Sequence, residues 1–203
     1  MTFELLIDTC RPGTLDDALK SLDLEGQMAD KQAREKLEAA WTTEFGEADQ
    51  VISLWRLPDH EISAGQTSPA QSMGHAGTSD LVRKTRRLQL EMPFDKQFTG
   101  GHFYDYRTYT LHPGARDIFM GHMRKVLPVR TRHSRNVGVW TPLDGNRDQI
   151  IHLWAYRDLA DRARARAAAW QEPAWQAYLA HIFPLVLRMQ NAMLIPAPFS
   201  PMQ

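Results

Sequence analysis

One phrase occurs twice in this chain, and the repetition limits the folds that it can adopt. Residues 49–59 are DQVISLWRLPD, and residues 148–158 are DQIIHLWAYRD, which is identical at six of the eleven positions. Shorter matches follow in the same order: Trp41-Thr42 with Trp140-Thr141, and Thr9-x-x-Pro12-Gly13 with Thr110-x-x-Pro113-Gly114. A repeat of this kind indicates two copies of one structural unit. We assign the copies to residues 1–98 and 99–203.

The second copy predicts the element order β-α-β-β-α-β. FYDYRTYTL is rich in aromatic and β-branched residues and predicts a strand. Apolar residues at helical spacing follow it, and Pro128 is expected to end that helix. NVGVWT and QIIHLWAY predict two more strands, two helices follow from Asp158 or Asp161 and from Pro173, and NAMLIPAPF closes the unit. This is the ferredoxin-like order, and its open sheet face must be buried against another sheet.

The first copy is a degenerate version of the same unit. Residues 22–40 indicate a helix more than a strand where the second strand is expected. Residues 62–79 are rich in Gly, Ser, Thr and Ala and replace one helix of the second copy. That segment predicts a surface loop, or alternatively a lid over a cavity that carries His75.

Composition and charge limit the kinds of partner and the cellular location that we expect for this chain. The 24 Lys and Arg residues balance the 24 Asp and Glu residues, which gives no support for a nucleic-acid partner. The chain has a single cysteine, Cys10, so an intrachain disulfide is impossible. No apolar run is long enough for a membrane span, and the first residues lack the pattern of a secretory signal. We expect a soluble, cytoplasmic protein.

Three phrases of the second copy resemble the NIPSNAP family: YDYRTYTLHPG, RHSRNVGVWTPLDGNRDQIIHLWAYRDLADR and PAWQAYLAHIFPLVLRMQNAMLIPAPFSP. The resemblance covers almost all of residues 103–201, whereas the first copy resembles the family more weakly. It implies an α+β fold of the dimeric α/β-barrel type, in which two ferredoxin-like repeats pack sheet to sheet, here within one chain. It implies no particular reaction.

Alternation along the strands groups the side chains by sheet face. We predict that the apolar faces, with Phe3, Leu5, Ile151 and Leu153, contact the helices. The opposite faces would then line the centre of the barrel. In the second copy these side chains are Asp105, Arg107, Tyr109, His152, Trp154 and Tyr156. In the first copy they are Glu4, Leu6, Asp8, Ser53, Trp55 and Leu57.

The six residues of the second copy predict a small-molecule site in the barrel cavity. His152 is the candidate acid or base, because an unperturbed histidine titrates near neutral pH. Arg107 would hold a carboxylate or an enolate-like oxygen, and Tyr109 could donate to the same oxygen. The alternative is structural: Arg107 pairs with Asp105, Glu4 or Asp8, and His152 is a hydrogen-bonded core histidine.

Other functions stay open at this point. The barrel could be a non-catalytic interaction scaffold, a cofactor-free monooxygenase or isomerase, or a haem-handling enzyme that uses His152. No histidine pair has the spacing of a zinc site, and no dinucleotide-binding motif is present, so we expect no metal and no cofactor. A homo-oligomer is expected from the outer surface that a closed barrel leaves for pairing.

Overall fold

The computed structural model describes residues 1–28, 36–57, 81–95 and 101–203. Its strands are β1 Thr2–Cys10, β2 Leu37–Phe45, β3 Gln50–Leu57, β4 Leu81–Leu90, β5 Phe103–Leu111, β6 Arg135–Pro142, β7 Gln149–Tyr156 and β8 Val186–Pro196. Its helices are α1 Leu15–Met28, α2 Arg116–Arg130, α3 Leu159–Trp170 and α4 Pro173–Ile182, and a short 3-10 turn, Phe183–Leu185, precedes β8. The predicted loop 62–79, with His75, lies outside the described residues.

The eight strands close into one antiparallel barrel in the order β1-β3-β2-β8-β5-β7-β6-β4. Each half contributes four neighbouring strands in the same internal order, β4-β1-β3-β2 and β8-β5-β7-β6. The halves meet where β2 pairs with β8 and where β4 pairs with β6. The predicted α+β class, with two ferredoxin-like sheets joined into a barrel, is confirmed.

Apolar side chains from both halves fill the centre of the barrel. Phe3 and Leu5 of β1 meet there with Tyr104 of β5, and Ile52 and Ile151 occupy matching positions on β3 and β7. The two largest side chains of this cluster, Trp41 and Trp140, are buried as well. An eight-stranded barrel is just wide enough for side chains to fill, and in this central part of the barrel those side chains are apolar.

The helices cover the outside of the barrel. In the second half, α2 and α4 bring Phe119, Met123 and Tyr178 onto the outer faces of β5, β6 and β7. In the first half, α1 packs Ala18 against Cys10 and Val51. Asp158 caps α3 by accepting a hydrogen bond from the backbone N–H of Asp161 at 2.6 Å.

The prediction of which sheet face lines the barrel was wrong in both halves. Phe3, Leu5, Ile151 and Leu153 lie in the centre, whereas the six predicted site residues lie on the outer face beneath the helices: Asp105, Arg107, Tyr109, His152, Trp154 and Tyr156. Closing the barrel brings the apolar faces of the two sheets together in one buried cluster, which removes them from water. Some of the polar atoms find partners under the helices: Asp105 accepts from Arg162, and His152 Nδ1 accepts from the Trp154 indole N–H.

Two boundaries also differ from prediction. Helix α2 continues past Pro128 to Arg130, so the proline lies inside its last turn. Strand β2 begins at Leu37, within the stretch that favoured a helix, because Ala39 and Trp41 alternate toward the apolar centre of the barrel. The first change brings Arg130 into the buried face of α2.

Candidate functional site

The repeated phrase builds the same contact in both halves. In β3 the Trp55 indole N–H donates to Ser53 Oγ at 2.9 Å, and in β7 the Trp154 indole N–H donates to His152 Nδ1 at 2.6 Å. Residues two apart on a strand share a face, so each tryptophan reaches the residue two positions before it. Ser53 and His152 therefore perform the same task, which is to accept a hydrogen bond from a buried indole.

A buried carboxylate organises the outer face of β5. Asp105 is fully buried and accepts a hydrogen bond from Arg162 Nε of helix α3 at 2.8 Å. Arg107, two residues along the same face, approaches the same carboxylate oxygen at 3.7 Å. The Nε atom of Arg107 is buried and has no hydrogen-bond partner among the described residues. Asp105 thus holds two arginines, and the bonding capacity of Arg107 is largely unused.

Arg130 lies between aromatic rings rather than beside a carboxylate. Its guanidinium carbon is 4.8 Å from the Trp154 ring centre and 5.4 Å from that of Trp175, which are cation–π distances. It donates to Tyr156 Oη at 3.2 Å and also to Ser134 Oγ. Only 4% of Arg130 is exposed, and it forms no ion pair with the described residues.

Arg107 and Arg130 lie beside a cavity of about 120 Å³ between the second-half sheet and helices α3 and α4. We call it the cationic pocket. Its lining consists of Arg107, Tyr109, Arg130, Arg166, Ala169, Trp170, Trp175, Leu179, Phe183 and Met189. Three of these residues carry a guanidinium group and none carries a carboxylate. The remaining wall is mainly aromatic and aliphatic.

The electrostatics of the pocket favour an anion. Burial first, and then the positive charges of Arg107 and Arg162, lower the pKa of Arg166 below its ordinary value. Burial raises the pKa of Tyr109, and Arg107 opposes that rise only in part. Tyr109 is therefore a protonated phenol at neutral pH, able to donate a hydrogen bond. The arginines repel one another, and a bound anion would relieve that repulsion.

The six predicted residues share one face, as expected, but they do different things there. Arg107 and Tyr109 line the cationic pocket. Trp154 and Tyr156 hold Arg130, and Asp105 holds Arg162. His152 does not line the pocket; its ring packs edge to face against Tyr109 at 4.7 Å between centres. A catalytic role for His152 or Arg107 stays a prediction.

Two arginines of the pocket, Arg130 and Arg166, were not predicted from the sequence. A signal was present for both. Arg130 lies four residues after the buried Val126, which continues the buried stripe of α2. Arg166 lies four residues after Arg162 and beside the buried alanines of α3. Small side chains at those positions let the helix approach the sheet, so its neighbouring arginines reach inward.

The buried His152 is expected to make the folded protein less stable in acid. Burial first, and then the charges of Arg107 and Arg130, hold the pKa of His152 well below its ordinary value of 6.5. Below pH 6.5 the unfolded chain binds a proton that the folded chain does not. The free energy of unfolding therefore decreases as the pH is lowered below 6.5. The slope is about 1.4 kcal/mol per pH unit for one proton. We expect His152→Asn to remove this component, since an amide oxygen can still accept the Trp154 N–H.

Urea unfolding at about pH 7.5 and at about pH 5.5 measures this difference. The comparison is the change in unfolding free energy between the two pH values, for the wild type and for the variant. His112→Asn, at an exposed turn position, is the matched control that removes a histidine without opening the core. An equal pH dependence in wild type and His152→Asn would contradict the assignment of a neutral, buried imidazole.

Other chemistry-bearing groups add little to this site. Among the described residues, no three His, Cys, Asp or Glu side chains cluster in a way that could hold a metal ion. Burial, with smaller contributions from Asp8 and Asp49, raises the pKa of Cys10 to about 11, which disfavours the nucleophilic thiolate. In the part of the chain that the structure describes, no helix is long and apolar enough to cross a membrane.

Comparison with known proteins points to one family. The NIPSNAP family model matches residues 104–201, the segment that contains the whole cationic pocket. Protein NipSnap homolog 1 of Danio rerio is 28% identical over 174 residues, or 81% of this chain. This chain spans 62% of the length of that relative.

Two solved structures illustrate the likeness. A NIPSNAP-like domain protein from Burkholderia xenovorans is 37% identical, and the match covers 51% of this chain and 91% of that chain, with a TM-score of 0.47. A protein from Fusobacterium nucleatum, whose assignment as a monooxygenase is provisional, is 10% identical over 97% of this chain and 92% of its own, with a TM-score of 0.68. At that identity the second likeness concerns the fold alone.

Proposed function

Because this chain belongs to the NIPSNAP family, we propose a function for the repeat that the family model matches, which is to bind a small organic anion in the cationic pocket. A carboxylate or a similar oxyanion would lie among Arg107, Arg130 and Arg166. The observation that carries this proposal is the composition of the lining, with three guanidinium groups and no carboxylate. Among the described residues, Asp105 is the carboxylate that pairs with this cluster, and Arg162 donates to it from behind the pocket.

The donors are held in place before a ligand arrives. Arg130 is sandwiched by two indoles and bonded to Tyr156, so its guanidinium plane has little freedom. The Tyr109 ring is fixed edge to face against both His152 and Phe119. Rigid donors lower the ordering cost of binding, which supports recognition of an anion by several charge-assisted hydrogen bonds.

The rim of the pocket suggests an apolar body for the ligand. Trp170, Phe183 and Met189 line the cavity, yet they are 48%, 49% and 39% exposed. Exposed apolar side chains grouped beside a cavity are typical of a binding site. A cavity of about 150 Å³ holds a benzene ring, so the cavity of about 120 Å³ accepts the charged end of a ligand. The rest of the ligand would extend along the rim.

The proposed function is binding, and a reaction in the pocket stays a prediction. With Nδ1 of His152 accepting the Trp154 N–H, the neutral ring carries its proton on Nε2. That tautomer has no free basic nitrogen, so it supports a structural role for His152 more than a role as base. The predicted homo-oligomer also remains a proposal, since the barrel closes within a single chain.

Substituting one pocket arginine tests the proposal. We expect Arg166→Gln to weaken the binding of benzoate and of hexanoate by about tenfold or more, because a charge-assisted hydrogen bond is lost. Arg164→Gln is the matched control, since Arg164 lies on the same helix, is exposed and pairs with Asp161. Isothermal titration calorimetry gives the dissociation constants.

The proposal predicts that Arg164→Gln binds both probes as the wild type does. Equal weakening in the two variants would indicate a general surface charge effect and would contradict a specific pocket. A wild-type protein that binds neither probe in a buffer free of other organic anions would also contradict the proposal.

A further inference from the structure

A second cavity, of about 280 Å³, lies at one open end of the barrel. We call it the barrel mouth. Its lining combines residues of both halves: Ile7, Gly46, Glu47, Gln50, Ile52, Lys84, Arg86, Tyr106, Thr108, Gln149, Gln190, Asn191 and Ala192. The other end of the barrel is filled by aromatic side chains, among them Phe3 and Trp140. Mouths of β-barrels are common positions for small-molecule sites.

Two cations of β4 point into the barrel mouth. Lys84 and Arg86 have the same parity on the strand as Leu88, which lies in the apolar centre. Neither forms an ion pair with any residue that the structure describes. Of the residues that the structure describes, one with a carboxylate, the exposed Glu47, lines the same cavity. The mouth therefore carries one formal positive charge in excess, concentrated on a single strand.

The opposite wall supplies hydrogen-bonding groups instead of charges. The strand registers pair Leu5 with Arg86 in the first half and Tyr106 with Ala192 in the second half. By the same registers, Ile7 pairs with Lys84, and Thr108 pairs with Gln190. Positions that correspond in the two halves therefore carry different side chains. In the first half, cations lie beside apolar residues. In the second half, hydroxyl and amide groups lie beside a small alanine.

Arg86 is already oriented by the other half of the chain. Its Nη1 donates to Gln149 Oε1 at 2.9 Å, and the Gln149 amide donates to Thr110 Oγ1 at 3.2 Å. The equivalent Gln50 donates to Thr9 Oγ1 at 3.0 Å, but no arginine of the described ranges donates to Gln50. Burial raises the pKa of Tyr106, so its phenol is a donor at neutral pH. Closing the barrel brings the oriented cation and these donors around one space.

We propose that the barrel mouth is a second binding site, for a small polar anion that bears a phosphate or a carboxylate group. Arg86 and Lys84 bind the charged oxygens, and Thr108, Tyr106 and Gln190 bind the remaining polar groups. This ligand differs from that of the cationic pocket, because the mouth has no aromatic wall comparable to the indoles there. Lys84 and Arg86 lie outside the segment that the family model matches, so the site depends on the first repeat.

The test uses inorganic phosphate and succinate as probes at constant ionic strength. We expect Arg86→Gln to weaken binding of at least one probe by about tenfold or more. Arg87→Gln is the matched control, since it removes the same charge one residue away on the opposite face of β4. Titration followed by amide chemical shifts locates the probe through the Gln149 and Thr108 signals.

A second variant keeps the proposal testable if Arg86→Gln unfolds. Lys84 is exposed, so Lys84→Gln should fold, and it should weaken the same probe several-fold. Preference for phosphate over succinate, or the reverse, identifies the charged group of the ligand. Because a carboxylate of succinate also fits the cationic pocket, the two sites are separated by the location of the signals: Arg166→Gln should leave the probe-induced shifts of the Gln149 and Thr108 amides unchanged. Equal effects of Arg86→Gln and Arg87→Gln, or chemical-shift changes confined to other surfaces, would overturn the proposal.

Discussion

Asp105→Ala is expected to lower the free energy of unfolding by about 3–5 kcal/mol, the usual cost of removing one partner from a buried ion pair. Asp105 is the carboxylate that pairs with Arg162 and Arg107, and it is fully buried. Without it, these mostly buried arginines and the nearby Arg166 repel one another. Helix α3 is then held against the sheet by fewer contacts.

Equilibrium urea unfolding, followed by tryptophan fluorescence, measures this loss. Asp117→Ala is the control, because the Asp117 carboxylate is 90% exposed and pairs with Arg116 on the surface; its expected change is below about 0.5 kcal/mol. Adding a high concentration of salt should partly rescue Asp105→Ala by screening the arginines. A loss below about 1 kcal/mol would contradict the role of Asp105 as the organiser of the cluster.

Gly138→Ala is expected to destabilise the barrel by about 1–3 kcal/mol through overpacking. A Cβ atom at position 138 would lie 2.4 Å from Cη2 and 2.5 Å from Cζ2 of Trp140. Trp140 is buried in the centre of the barrel against Phe3 and Phe94, so its ring has no free space to move into. Relief requires a shift of the ring or of strand β6.

The matched control is expected to change the free energy of unfolding in the opposite direction. Gly121 lies inside helix α2, and a Cβ atom there would meet nothing within 4 Å. Gly121→Ala should therefore raise the unfolding free energy by roughly 0.5–1 kcal/mol, because alanine has the higher helix propensity. Urea unfolding of both variants gives the comparison. Two variants with equal stability would contradict the packing of Trp140 over Gly138.

Much of the fold followed from the repeat. The turns Pro12-Gly13 and Pro113-Gly114 recur because both glycines adopt a positive φ, 83° and 79°, that other residues avoid. The paired phrases around Trp55 and Trp154 recur because each half needs the same strand with the same buried indole. Local patterns of this kind depend on residues close in sequence, and they are therefore readable without a structure.

The candidate site was predictable only in part. Alternation correctly grouped Arg107, Tyr109 and His152 on one face, but it could not say which side of the sheet that face was on. Every side chain of β5 and β7 is buried or half-buried, so hydrophobicity alone does not separate the two faces of these strands. Arg130 and Arg166 were missed because charged helix residues are usually exposed, and their burial depends on aromatic and carboxylate partners elsewhere in the chain.

The sequence by itself determined the duplication, the strand positions of the second copy, the ferredoxin-like order and the likeness to one family, since all of these depend on periodicity and on local phrases. Tertiary structure alone decided that the apolar faces meet inside the barrel, that Asp105, Arg107 and Arg130 lie under helices, and that Lys84 and Arg86 of β4 face the polar groups of the other half. The reason is physical. Side chains distant in sequence interact through charge, burial and hydrogen bonds, and these interactions form only once the two sheets have closed around a common centre.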